Sequence, residues 1–164
     1  MICSKEMADA WEVIRITDES NIARLVEINT EVFTHPWTQE MFLDELSQPQ
    51  RSYLLAVFGP SRMIIGYCSV WRVADTLQVN SIAVTEGYQG RGIGCALLEE
   101  VLTLGQQFRV ASVSLEVRSS NEIARGLYRR YRFKETGRRS AYYRQPKEDA
   151  VILTRCLESH KGVL

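Results

Sequence analysis

The chain has 164 residues, with 20 lysines and arginines against 20 aspartates and glutamates. That length suits one domain with a sizeable core, and zero net charge gives no sign of a polyanion or membrane partner. No stretch approaches the roughly 18 apolar residues of a membrane span, and no basic segment followed by an apolar one opens the sequence.

Four cysteines, Cys3, Cys68, Cys95 and Cys156, lack CxxC or metal-ligand spacing. Reduced thiols in a cytoplasmic protein are expected. The two histidines, His35 and His160, have no ligand set around them, so no metal is expected. Charge is unevenly spread. Met1 to Gln50 holds ten acidic and three basic residues, whereas Arg118 to Arg144 holds nine basic and two acidic. The basic stretch reads as an anion-facing surface or, more plainly, as a solvated face.

Residues 1–12 read as a lead-in. Glu12 to Ile16 is a predicted strand. Asp18 can cap a helix carrying Ile22, Leu25, Val26 and Phe33 at helical spacing, and Pro36-Trp37 ends it. Thr38 can cap a second helix through Met41, Phe42 and Leu46. Three strand-like runs follow: Tyr53 to Phe58, Met63 to Trp71 and Leu77 to Val84, the first two joined by Gly59-Pro60-Ser61.

Next comes GYQGRGIGCALLEE, Gly87 to Glu100. It opens a helix with Ile93, Ala96, Leu97, Val101, Leu104 and Phe108 on one face. Ser112 to Val117 is a strand, and Asn121 can cap a helix through Leu127 and Tyr131. Phe133 to Gly137 and Ala150 to Leu157 are the last predicted strands, and 158–164 a tail. The order implies an α/β domain over 13–157 with a mixed sheet, and Leu77 to Val117 is long enough for a parallel crossover.

A helix N-terminus carries unpaired N–H groups and partial positive charge. Glycines let that backbone approach an anion, so Gln89 to Cys95 reads as a phosphate cradle. No Lys-Ser or Lys-Thr follows, which excludes a P-loop. A dinucleotide fingerprint GxGxxG finds Gly90 and Gly92 but Cys95 in third place. Glu116, about 20 residues on, stands where a ribose-binding acid would.

Gln89, Gly92 and Gly94 form Gln-x-x-Gly-x-Gly. This resembles the acetyl-CoA motif of the Gcn5-related N-acetyltransferases. N-S-I-A-V before it, and L-E-V-R-S-S-N and G-L-Y-R-R-Y-R-F after it, resemble the same family's neighbouring strands and helix. F-T-H-P-W-T, A-Y-Y and E-D-A resemble its branch that acetylates ribosomal-protein alanines. The resemblance covers Val13 to about Leu157, with Arg132 where the family has glycine. It implies a mixed, mostly antiparallel twisted sheet with flanking helices and a parallel strand pair splayed at the acetyl-CoA site.

The resemblance also implies roles. Gly90, Arg91, Gly92, Ile93, Gly94 and Cys95 would hold the pyrophosphate; Ile82, Ala83 and Val84 the pantetheine, with the Val84 amide as oxyanion donor; Asn121 would lie near the CoA. Glu116 would be the general base and Tyr128 the general acid. Read without the resemblance, Glu116 faces away from Val113, Leu115 and Val117 on a solvated strand face, Tyr128 is core, and Asn121 is a helix cap. Trp37, Tyr142 and Tyr143 are candidates for a peptide groove.

The activity implied is acetyl transfer from acetyl-CoA to a protein N-terminus, by direct amine attack and without an acetyl-Cys95 intermediate. The same chemistry on other N-termini or on a small amine is the near alternative. A different class is an RNA- or ribosome-binding module, because the basic stretch interleaves Tyr128, Tyr131, Phe133, Tyr142 and Tyr143. A monomer with no nucleic-acid partner is expected.

Overall fold

The computed structural model describes residues 10–158. Cys3, His160, most of the lead-in and most of the tail lie outside them. Among the described residues, runs bounded by turn formers make seven strands: β1 (Glu12–Ile16), β2 (Ser52–Phe58), β3 (Ile64–Val73), β4 (Thr76–Val84), β5 (Ser112–Arg118), β6 (Lys134–Arg144) and β7 (Lys147–Cys156). Four helices intervene: α1 (Ile22–Val32), α2 (Gln39–Leu46), α3 (Ile93–Gln107) and α4 (Glu122–Arg130).

The expected caps form. Asp18 accepts from the Ser20 amide at 2.9 Å, but it caps a single 3-10 turn, Glu19–Asn21, that leads into α1. Thr38 Oγ1 accepts from the Met41 amide at 3.3 Å and Asn121 Oδ1 from the Ala124 amide at 3.1 Å. Each hydroxyl or amide oxygen satisfies an N–H that the first helical turn leaves open.

The chain packs as two compact units. One comprises the residues up to Arg72 together with Asn80–Val101; the other comprises Val73–Val79 and the residues from Leu102 onward. In the first, β1 pairs antiparallel with β2 and β2 with β3, giving the order β1-β2-β3-β4. Its core gathers Ile16, Ile22, Leu25, Ile28, Phe42, Leu54 and Tyr67. Phe42 is fully buried, with its ring 5.3 Å from Trp37 and 5.4 Å from Tyr67. Emptying such a site costs about 3–5 kcal/mol. Two buried polar groups are satisfied within it. Asn29 bonds the Tyr67 hydroxyl, which also meets Ser81 Oγ at 2.7 Å; Glu45 accepts from Ser52, Ser69 and Trp71. Burial pushes the Tyr67 phenol up to about 12.

In the second unit the order is β4-β5-β7-β6. β4 and β5 are parallel, joined by α3 as a crossover, and the other pairs are antiparallel. The parallel ladder runs only from Thr76↔Ser112 to Val79↔Leu115, although β4 continues to Val84 and β5 to Arg118. This is the mixed, mostly antiparallel sheet with a parallel strand pair that the resemblance implies. Leu77, Val113, Leu115, Val117, Tyr128, Phe133, Val151 and Leu153 are buried here.

Two strand boundaries differ from the sequence reading by three residues or more. β6 extends to Arg144 rather than stopping at Gly137, and β7 begins at Lys147 rather than Ala150. Nine of the eleven β6 residues are exposed, so the strand has no apolar alternation to announce it. The turn at Arg132 forms without glycine. Arg132 takes φ 64° and the Phe133 amide donates to the Tyr128 carbonyl at 3.0 Å, closing α4.

Candidate active site

The first unit carries the glycine loop. After Val84 the chain makes a 3-10 turn, Glu86–Tyr88, then Gly90 and Gly92 adopt φ 76° and 88°. Side chains other than glycine rarely reach those angles. The first intrahelical bond of α3 runs from the Ala96 amide to the Gly92 carbonyl at 3.0 Å. The first turn of any α-helix has amides with no intrahelical acceptor, so a loop that opens one can offer main-chain donors at its positive end. Gln89 Nε2 donates to the Val84 carbonyl at 3.0 Å, tying the loop to the strand end. Ile93 and Cys95 are buried, at 1 % and 5 % exposure, and anchor the helix start; the Arg91 guanidinium lies 5.0 Å above the Tyr88 ring.

Ile82, Ala83 and Val84 end β4, with Ala83 buried and its neighbours half-buried. β3 passes so near that a Cβ on Gly66 would stand 3.0 Å from the Ala83 carbonyl oxygen and 3.2 Å from Ile93. Asn80 Nδ2 is buried with no hydrogen-bond partner among the described residues, an arrangement that costs about 1–3 kcal/mol while it persists.

Glu31, on the last turn of α1, braces this segment. Its carboxylate accepts from Thr85 Oγ1 at 2.8 and 2.9 Å and from the Glu86 amide at 2.6 Å. Those donors, the Glu86 amide first, hold its pKa below the usual carboxylate value. Sequence reasoning missed Glu31, because nothing in its spacing links it to residues so far along the chain.

The second unit carries Glu116, Asn121 and Tyr128. β5 alternates as expected: Val113, Leu115 and Val117 are buried, Ser112, Ser114 and Glu116 only partly so. Glu116 lines a cavity of about 310 Å³ with Thr76, Gln78, Ser114, Arg139 and Ile152. Its Oε1 accepts from Arg139 Nε at 2.6 Å. Asn121 caps α4, and Tyr128 on that helix is 4 % exposed, with its ring 5.8 Å from Phe133.

Glu148, in the E-D-A stretch, is a second hub. It accepts from Arg118 Nη1, Ser119 Oγ, the Ser120 amide and Ser120 Oγ, at 3.0 to 3.2 Å. These bonds, the Ser120 hydroxyl first, lower its pKa to about 2. They fasten the β6–β7 hairpin to the loop before Asn121. Arg118 also stacks 4.0 Å over Tyr143. Tyr142 is 53 % exposed and meets Tyr143 edge-on at 5.2 Å, whereas Trp37 packs on Phe42 in the other unit's core.

Much of the basic stretch is neutralised within this unit. Arg118 pairs with Glu148, Arg125 with Glu122 and Glu135, Arg138 with Glu135 and Asp149, and Arg139 with Glu116. Among the described residues there is no group of three or more histidine, cysteine or acidic side chains able to hold a metal, and no helix long and apolar enough to cross a membrane.

A main-chain anion cradle between a strand end and a helix is shared by several folds. The acetyltransferase (GNAT) family model matches residues 22–133 of this chain. The chain belongs to the GNAT family. As a GNAT protein it is an N-acetyltransferase that uses acetyl-CoA, which sets aside the dinucleotide fingerprint at Gly90 and Gly92. It is 36% identical over 138 residues to the N-alpha-acetyltransferase RimI of Mycobacterium tuberculosis, covering 80% of this chain and 84% of the relative. It is 31% identical over 144 residues to the [ribosomal protein bS18]-alanine N-acetyltransferase of Haemophilus influenzae, covering 86% and 96%. The crystal structure of the Escherichia coli ribosomal-protein-S18-alanine N-acetyltransferase superposes with a TM-score of 0.84 at 25% identity, covering 94% of this chain and 99% of that one. For a GNAT enzyme, the Gly90 to Cys95 cradle suits the pyrophosphate of acetyl-CoA, whose charge backbone amides can meet without a cationic side chain.

Proposed function

We propose that this chain acetylates the α-amino group of a protein N-terminus, with the N-terminal alanine of a small-subunit ribosomal protein as its substrate. It does so as one acetyltransferase domain over 13–157, a cytoplasmic monomer. The observation that carries the reading is the loop with Gly90 and Gly92 in left-handed conformation at the start of α3. The names of the relatives support the acceptor.

In this reading Gly90 to Cys95 hold the pyrophosphate, Ile82 to Val84 the pantetheine, and Asn121 lies near the CoA while capping α4. Glu116 takes a proton from the acceptor amine, directly or through water. The amine nitrogen attacks the thioester carbonyl carbon; the C–N bond forms as the C–S bond breaks. The Val84 amide stabilises charge on the carbonyl oxygen, and Tyr128 gives its proton to the departing thiolate. A protein α-amine has a pKa of about 7.7–8.0 against about 10.4 for lysine. One carboxylate is therefore better matched to the α-amine. Tyr142, Tyr143 and Trp37, the last half-buried against Phe42, are the groove candidates.

The test is thiol release from acetyl-CoA with three peptides: one beginning Ala-Arg, the same peptide with a blocked N-terminus, and one with an internal lysine. Turnover restricted to the free α-amine, and reduced roughly 10²-fold or more in Glu116→Gln and Tyr128→Phe, is the expected result. Acetylation of the lysine peptide alone would overturn the assignment of the acceptor.

A further inference from the structure

The acetyl transfer just described uses Glu116 and leaves its ion-pair partner, Arg139, without a role. Arg139 reaches Glu116 through a local irregularity of β6. The β6–β7 register holds from Gly137↔Ile152 through Arg139↔Ala150 and resumes at Tyr143↔Glu148. Between those pairs Ser140, Ala141 and Tyr142 stand against Asp149 alone. Ala141 takes φ 50°, and its amide donates to Asp149 Oδ1 at 2.9 Å. Asp149 Oδ2 lies 3.9 Å from Arg138 Nη1. The bulge is thus pinned from β7 at Ala141, two residues beyond Arg139. Bulges re-aim neighbouring side chains, and here the guanidinium meets Glu116.

The contact is one-sided. Arg139 Nε engages Oε1, while Oε2 accepts no hydrogen bond from any described residue. Both residues line the same cavity. The Glu116 side chain is 22 % exposed and that of Arg139 55 %. A pair this open contributes little to stability, so its geometry is the more informative feature. We propose that Arg139 is a positioning residue: it holds Glu116 by one oxygen and leaves the other presented to the acceptor amine. This rests on Glu116 being the base. A base works only within hydrogen-bond reach of its proton, and a displacement of about 1 Å can cost as much as 10²-fold in rate. A glutamate with three rotatable bonds gains from a fixed partner, and the planar guanidinium supplies one.

The experiment is a double-mutant cycle on the full chain, with acetyl-CoA and an Ala-Arg peptide. It uses wild type, Arg139→Gln, Glu116→Gln and the double variant, with Arg139→Lys as the conservative replacement. Arg139→Gln is expected to lower kcat about tenfold, with KM for acetyl-CoA and the urea midpoint unchanged. Arg139→Lys should recover part of the loss. In the Glu116→Gln background the Arg139 change should do nothing further, because residues acting as a unit are not additive. Equal losses in both backgrounds would overturn the proposal, as would full activity of Arg139→Gln beside an impaired Glu116→Gln. Full activity of Glu116→Gln would instead remove the base assignment, and this inference with it.

Discussion

Glu31 and Glu86 are 55 residues apart in the chain, yet the carboxylate of one receives the backbone N–H of the other at 2.6 Å. With the Thr85 hydroxyl on the same carboxylate, the last turn of α1 grips the two residues between Val84 and the glycine loop. The grip is on backbone, so it constrains where the loop starts.

Glu31→Ala should therefore weaken acetyl-CoA binding more than it weakens the fold. The expected rise in KM for acetyl-CoA is roughly three- to tenfold, the scale of a lost hydrogen bond. Steady-state kinetics beside a urea titration check it. An unchanged KM with a lowered urea midpoint would reduce Glu31 to a strut.

Glu148 makes a pH-dependent prediction. Its pKa is lowered to about 2 in the folded protein, against about 4.3 for an unperturbed glutamate. A lowered folded value means that the stabilisation is fully present above the unfolded value and is lost as pH falls through about 2. Wild type should exceed Glu148→Gln in urea midpoint at pH 7, and the gap should narrow between about pH 4.5 and 2. A gap that does not change with pH would mean that the carboxylate charge is not what fastens the hairpin.

Arg132 closes α4 in a left-handed conformation that disfavours every residue except glycine. Arg132→Gly removes that cost and adds flexibility to the unfolded chain, which offsets part of the gain. The net expectation is a stabilisation of about 0.5–1 kcal/mol, read from urea unfolding, with kcat unchanged. A destabilised variant would show that the arginine side chain makes a contribution larger than its backbone strain.

The sequence was legible where local chemistry decides structure. Asp18, Thr38 and Asn121 were readable as caps because a short oxygen-bearing side chain before an apolar helix has few other uses. The glycine loop was readable because its spacing demands particular dihedrals. β6 was hidden because its exposed residues follow no period, and its pairing comes from β7 rather than from its own side chains. Arg139 was hidden for the same reason: only the β5–β7–β6 register brings it to Glu116, 23 residues away. The basic stretch read by itself omitted Glu148 and Asp149, the carboxylates on the neighbouring strand that answer several of its charges.

At Gly90 a Cβ would meet no protein atom within 4 Å, and its φ of 76° is what disfavours an L side chain. The restriction at this position is thus one of handedness. L-alanine would have room and the wrong dihedral, whereas D-alanine prefers the positive φ that the loop already uses. Chirality at one α-carbon, with no change in charge or polarity, would then set how easily the loop holds the conformation it uses.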